Sequence, residues 1–123
     1  MCQIFISADP ALYERRARSI RLHGVATSIS LENHFWRVLE EIGARDGLTV
    51  PQLCTKLYDE LVEERGHVEN FASFLRVCCG RYLALQISGG IPTDQTIAIR
   101  SLNAERVLAT ENKRPQRRAR LVA

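Results

Sequence analysis

The stretch Val25-Ala26-Thr27-Ser28-Ile29-Ser30-Leu31, continued by residues 32–46 and by Gly47-Leu48-Thr49-Val50, decides how this chain folds. Side chains alternate across a strand, so Thr27, Ile29 and Leu31 share one face and Ala26, Ser28 and Ser30 the other. Leu31, Phe35, Val38, Leu39 and Ile42 then follow the three-four spacing of a helix with one buried face, and Trp36 widens that stripe. Ser30 is placed to cap the helix, and Glu32 stands where the helix dipole favours negative charge. Gly47 is placed to end it. Thr49, Pro51 and Gln52 have the spacing of a capping box opening a second helix. A single strand cannot satisfy its own backbone, and two strands alone are marginal. The simplest partner is the same segment of a second copy.

Downstream, the second helix runs to about Arg65 and stops at Gly66. Its apolar face is Leu53, Leu57 and Leu61, with Cys54, Tyr58 and Val62 alongside. Asp59, Glu60, Glu63 and Glu64 form an acidic surface that should point away from any polyanion. A third helix opens near Asn70, with Phe71, Phe74, Leu75, Cys78, Tyr82 and Leu85 as its stripe, and Gly89-Gly90 and Pro92 end it. Thr96 to Leu102 alternates weakly, as a strand would.

Upstream, residues 2–7 have the composition of a short strand. Asp9-Pro10 then starts about two turns of helix over Ala11 to Arg18. Ser19-Ile20-Arg21-Leu22 before His23-Gly24 fits a hairpin with strands near 19–22 and 25–30, and fits equally a loop leading into the second strand.

A chain of 123 residues suits one domain with appendages, here divided as residues 1–24, 25–88 and 89–123. The last piece is basic around Pro115 and is expected to be mobile. No apolar run reaches the roughly 18 residues of a membrane span, and no basic region precedes Ile4-Phe5-Ile6, so a cytoplasmic protein is expected. Cys2, Cys54, Cys78 and Cys79 form no C-x-x-C pair, and His23, His34 and His67 lie far apart. Buried thiols are expected, with no metal site and no cofactor. The net charge of +3 conceals basic ends, Arg15, Arg16, Arg18 and Arg21 on one side and Lys113, Arg114, Arg117, Arg118 and Arg120 on the other, around an acidic middle. Such flanks suit a polyanion.

With those residues in view, Thr27-Ser28-Ile29-Ser30-Leu31-Glu32, Phe35-Trp36, Leu39-Glu40-Glu41-Ile42, Gly47-Leu48-Thr49 and Asn70-Phe71-Ala72-Ser73-Phe74-Leu75-Arg76 together resemble ribbon-helix-helix proteins of a bacterial subgroup. The resemblance covers roughly residues 24–85. It implies a mainly α fold with a short β ribbon, and an intertwined homodimer in which one strand per chain pairs antiparallel in the DNA major groove. It implies that Ala26, Ser28 and Ser30 face base edges. It also implies that Thr49 and Val50 hold a phosphate, a role that a helix N-terminus can play on physical grounds. Related proteins often carry a basic or long polar side chain on the outward face. Here it is small, and serine discriminates poorly among bases. Arg18 and Arg21, just upstream, are the candidate supplementary DNA contacts. Ile29, Leu31, Phe35, Trp36, Leu39, Ile42, Leu53, Leu57 and Leu61 are the candidate dimer core.

The function expected is therefore a transcriptional regulator, a repressor by preference, that binds double-stranded DNA as a homodimer. An antitoxin that wraps a toxin with residues 89–123 is a variant of the same reading, and a dimerisation module without DNA is the rival. An enzyme is not expected. Gly89-Gly90 lacks the lysine and helix of a phosphate loop, and no nucleophile, base and acid stand at suggestive spacing.

Overall fold

The computed structural model describes residues 2–111. Two strands, β1 (Arg15–Leu22) and β2 (Val25–Glu32), pair antiparallel as one hairpin within the chain. His23 and Gly24 form its turn with φ of 49° and 77°. Two consecutive positive φ values match the right-handed twist of the flanking strands, and glycine at the second place adopts one without penalty. The hairpin alternative is thus the one realised, and it is longer than expected. Asn33 N–H donates to the Glu14 carbonyl at 2.9 Å, which carries the pairing one step beyond the strands.

Four helices follow or precede the ribbon as packed elements: α2 (Pro10–Tyr13), α3 (Asn33–Arg45), α4 (Val50–Arg65) and α5 (Phe71–Ile87). An N-terminal turn, α1 (Cys2–Ile6), and a C-terminal helix, α6 (Ala104–Thr110), complete the described chain. Ile20, Leu22, Ile29 and Leu31 from the ribbon are buried with Trp36, Val38 and Leu39 of α3, Leu53 and Cys54 of α4, and Leu75, Cys79, Tyr82 and Leu85 of α5. Each of the larger side chains contributes about 1.5–3 kcal/mol by leaving water. Gly43 permits the tight α3–α4 turn, since a Cβ there would stand 2.7 Å from the Leu48 carbonyl oxygen.

Trp36 binds the ribbon to α3. Its indole Nε1–H donates to the Arg16 carbonyl at 2.8 Å, and the Arg18 guanidinium lies 5.2 Å from its ring centroid. Glu32 binds the ribbon to α5. It accepts from Arg76 Nε at 2.9 Å and lies 3.6 Å from Arg15 Nε. The Arg76 hydrogen bond holds the Glu32 carboxyl below the ordinary glutamate range.

Arg45, buried at the end of α3, fastens the segment that follows α5. It donates to the carbonyls of Pro92, Asp94 and Ile97 at 2.9, 3.0 and 2.9 Å, and to the Tyr82 hydroxyl at 3.2 Å. Tyr82 in turn donates to Glu41. Arg100 N–H and guanidinium bond Asp46, and Arg81 makes a two-pronged pair with Glu111 at 2.7 and 2.9 Å. Residues 91–111 are therefore packed on the helices, with Ile91 buried and Ile99, Leu102 and Val107 against the core. Of the piece 89–123 expected to be mobile, residues 112–123 lie outside the described residues.

Four local expectations are corrected. Residues 2–7 contain the helical turn α1, not a strand, since no ladder partner is at hand and a turn pairs Ser7 N–H with the Gln3 carbonyl locally. The helix opened by Asp9 and Pro10 stops at Tyr13, because from Glu14 onward the backbone pairs with β2 and its neighbour Asn33. The cap of α3 is Glu32 rather than Ser30, which is still within β2. Thr96 to Leu102 forms a 3-10 turn at Ile99–Ser101, with Asp94 capping Thr96, and joins no sheet.

Replacing Arg45 with leucine should lower stability by roughly 3 kcal/mol in denaturant titrations, since buried acceptors lose their donors. The same variant should be cleaved faster by protease within residues 91–102. Glu32→Gln should weaken the ribbon–α5 tie by ~1 kcal/mol at most at neutral pH. A depressed carboxyl stabilises the fold above its unfolded pKa and loses that effect as pH falls through the folded value. The gap between wild type and Glu32→Gln should therefore narrow progressively as pH falls below about 4.3, the ordinary glutamate value, read as unfolding midpoints across pH.

Candidate nucleic-acid interface

Cross-strand partners in a hairpin share a face, so the register sorts the ribbon completely. Arg16, Arg18, Ile20 and Leu22 stand opposite Leu31, Ile29, Thr27 and Val25 on the side that packs on the helices. Arg15, Ala17, Ser19 and Arg21 stand opposite Glu32, Ser30, Ser28 and Ala26 on the outward side. Ala26 and Ser28 are exposed and Ser30 is half-buried. The three residues expected to face outward do lie together on that side.

The arginines expected to act together are separated by the same alternation. Arg21 is on the outward face, while Arg18 is on the other, stacked on Trp36. Arg15, which the sequence placed in the basic flank but not among the DNA contacts, shares the outward face with Arg21. Its partner relation to β2 is long-range pairing that no local pattern encodes. The outward face is thus small and uncharged at its centre, with an arginine toward each end and Glu32 beside Arg15.

Backbone groups along both edges are partly taken. Thr55 on α4 donates to the Arg21 carbonyl at 2.9 Å, and Arg76 on α5 approaches the Ser30 carbonyl at 3.4 Å. At the tip, His23 Nε2 lies 2.8 Å from Asp59 Oδ1, and its ring meets Tyr58 edge-on. A groove of about 500 Å³ beside this end is lined by Arg21, Gln52, Thr55, Lys56, Asp59, Glu60 and Glu63. The acidic surface of α4 therefore adjoins the tip of the ribbon, and the arginine-rich half lies at the open end.

At the start of α4 the capping box is formed. Thr49 Oγ1 accepts from Gln52 N–H, and the Gln52 side chain accepts from Thr49 N–H. Pro51 has no N–H to offer. Of the groups implied for phosphate, Thr49 is occupied by its own cap, and Val50 N–H is the first-turn donor left to offer, from a residue that is itself buried.

The candidate dimer-core residues divide by burial. Ile29, Leu31, Trp36, Leu39 and Leu53 are already buried within one chain. Phe35, Ile42, Leu57 and Leu61 keep exposed area. Cys54 and Cys79 are fully buried, and burial pushes their thiols up to about 11 and about 12. They are packing groups in the ordinary reduced form. Among the described residues no cluster of histidine, cysteine or acidic side chains could hold a metal, and no helix is long and apolar enough to cross a membrane.

A family model for the ribbon-helix-helix domain matches residues 15–83, which runs from the first residue of β1 into α5. Among solved structures, an uncharacterized protein from Bordetella pertussis Tohama I is similar, with 57% sequence identity and a TM-score of 0.87. The match covers 94% of this chain and 96% of that one. No curated protein matches the chain. With its strand hairpin feeding α3 and its capped turn into α4, the chain belongs to the ribbon-helix-helix domain family.

Proposed function

We propose that this protein is a transcriptional regulator that binds double-stranded DNA as a homodimer, with the outward ribbon face entering the major groove. The observation that carries this reading is the face itself. Ala17, Ser19, Ala26, Ser28 and Ser30 give it a small, uncharged floor, and Arg15 and Arg21 flank it. A small floor lets base edges approach, and flanking guanidinium groups supply attraction to a polyanion. Arg18, fixed over Trp36, and Val50 N–H are the flank groups offered to phosphates. The exposed parts of Phe35, Ile42, Leu57 and Leu61 are the apolar surface available to a second copy.

An antitoxin would need a free segment to wrap its toxin. Residues 91–111 are held by Arg45, Arg81 and Arg100, which favours the regulator.

Fluorescence anisotropy with a labelled duplex from the region upstream of the gene, beside a scrambled duplex, tests the proposal. Binding should be tighter to the upstream duplex. Raising salt from about 50 to about 200 mM should weaken it by at least about tenfold, the loss expected from only two phosphate contacts. No binding at either salt, with a dimer still present by light scattering, would leave a dimerisation module instead.

A further inference from the structure

Three of the four arginines on β1 have a partner for their guanidinium. Arg15 Nε lies 3.6 Å from a Glu32 carboxylate oxygen, Arg18 stacks on the Trp36 ring, and Arg21 Nη1 donates to the Gly24 carbonyl at 2.8 Å. The Arg16 guanidinium has none among the described residues. Arg16 stands on the helix side of the ribbon, opposite the fully buried Leu31, yet is itself exposed. Its side chain passes the core and borders a recess of about 250 Å³, whose other walls are Asn33, Trp36, Arg37 and Glu40. Those four are spaced i, i+3, i+4 and i+7, so they form one stripe of α3.

Arg37 and Glu40 stand one helical turn apart, a spacing at which opposite charges commonly pair. Here they form no ion pair with each other or with any other described residue. The neighbouring Glu41 is already engaged by Tyr82. The recess therefore presents two unpaired guanidinium groups and one unpaired carboxylate. Its floor is fixed. Trp36 is held by its bond to the Arg16 carbonyl at 2.8 Å, and the Asn33 carboxamide by donation from Nδ2 to the Ala11 carbonyl at 2.9 Å. That bond leaves Asn33 Oδ1 as an unused acceptor. Charge then decides which ligands suit. A simple anion such as phosphate is attracted by the arginines and opposed by Glu40, and a simple cation meets the reverse. A molecule with both charges a short distance apart satisfies all three groups. In a free α-amino acid the carboxylate accepts from the planar forks of Arg16 and Arg37, and the ammonium, with three donors, bonds Glu40 and Asn33 Oδ1. The recess is smaller than the sites that take drug-sized molecules, and its walls are mainly polar, which suits a ligand of that size and polarity.

We infer that the recess between the start of β1 and the first turns of α3 is a binding site for a free α-amino acid, with Arg16 and Arg37 holding its carboxylate and Glu40 its ammonium group. The inference stands independently of the DNA-binding reading above.

Trp36 is the only tryptophan in the chain and forms part of the recess, so its fluorescence reports on the site. The full chain is titrated with each of the common L-amino acids at millimolar concentrations, and each titration is repeated by calorimetry. The best amino acid is then compared with its N-acetyl form, its methyl ester and inorganic phosphate. Wild type should bind at least one free amino acid saturably. The N-acetyl form and the ester, each lacking one charge, should bind more weakly by about fivefold or more, and phosphate should not compete. Arg16→Ala, Arg37→Ala and Glu40→Gln change exposed side chains that touch no described residue, and their unfolding midpoints should match wild type. Arg37→Ala and Arg16→Ala should each weaken the free amino acid by a similar factor. Glu40→Gln should weaken the free amino acid and leave the N-acetyl form unchanged. The inference is overturned if no amino acid produces a saturable signal by either method. It is also overturned if phosphate or the N-acetyl form binds as tightly as the free amino acid, or if affinity survives intact in Arg37→Ala and Glu40→Gln.

Discussion

The contact between Trp36 and the backbone of Arg16 sets the arrangement on which the rest of the molecule depends. An isolated hairpin is marginal in water, because one face must be buried and its strands hold each other only weakly. Here the helix that grows directly out of β2 carries an indole that bonds the opposite strand. The hairpin and α3 are thereby closed into one unit. Ile20, Leu22, Ile29 and Leu31 then have a fixed surface to pack on, completed by α4 and α5. The indole N–H also acquires a partner, as a buried donor requires.

A second constraint acts at the other end of α3. Among the described residues no carboxylate touches the buried Arg45 cation directly, and its charge is spread over three carbonyl oxygens and a tyrosine hydroxyl. Each carbonyl belongs to a segment with little regular structure of its own. The guanidinium serves as the template on which residues 92–97 take their course. That course brings α6 against α5, where Arg81 and Glu111 close it. Such a clamp orders a chain segment without a large apolar surface, because a planar fork of donors aims several acceptors at once.

The outward ribbon face follows from strand alternation combined with this packing. Four arginines lie within seven residues of β1, and on sequence they form one basic cluster. The pleat divides them into two pairs with different surroundings. Arg16 and Arg18 turn toward the helices, where Trp36 engages Arg18, while Arg15 and Arg21 turn outward beside the serines. The acidic side of α4 then makes the two ends of the ribbon electrostatically unequal. Charge counted along the chain could not reveal that inequality, since it depends on α4 lying beside β1.

What the sequence determined by itself is local. The helices α3, α4 and α5, the capping box at Thr49 and Gln52, and the outward set Ala26, Ser28 and Ser30 are all written in spacings of two, three or four residues. Periodicity and caps act within one or two turns, so they can be read without knowing what packs where. The tertiary structure alone decided the partner of β2, the extent of β1 and the path of residues 91–111. Each of these hangs on contacts between residues far apart in the chain: Trp36 with Arg16, Glu32 with Arg76, Arg45 with Pro92 and Ile97. A hydrogen bond across such a separation exists only when the intervening chain has folded, and the pairing of β1 with β2 is of that kind.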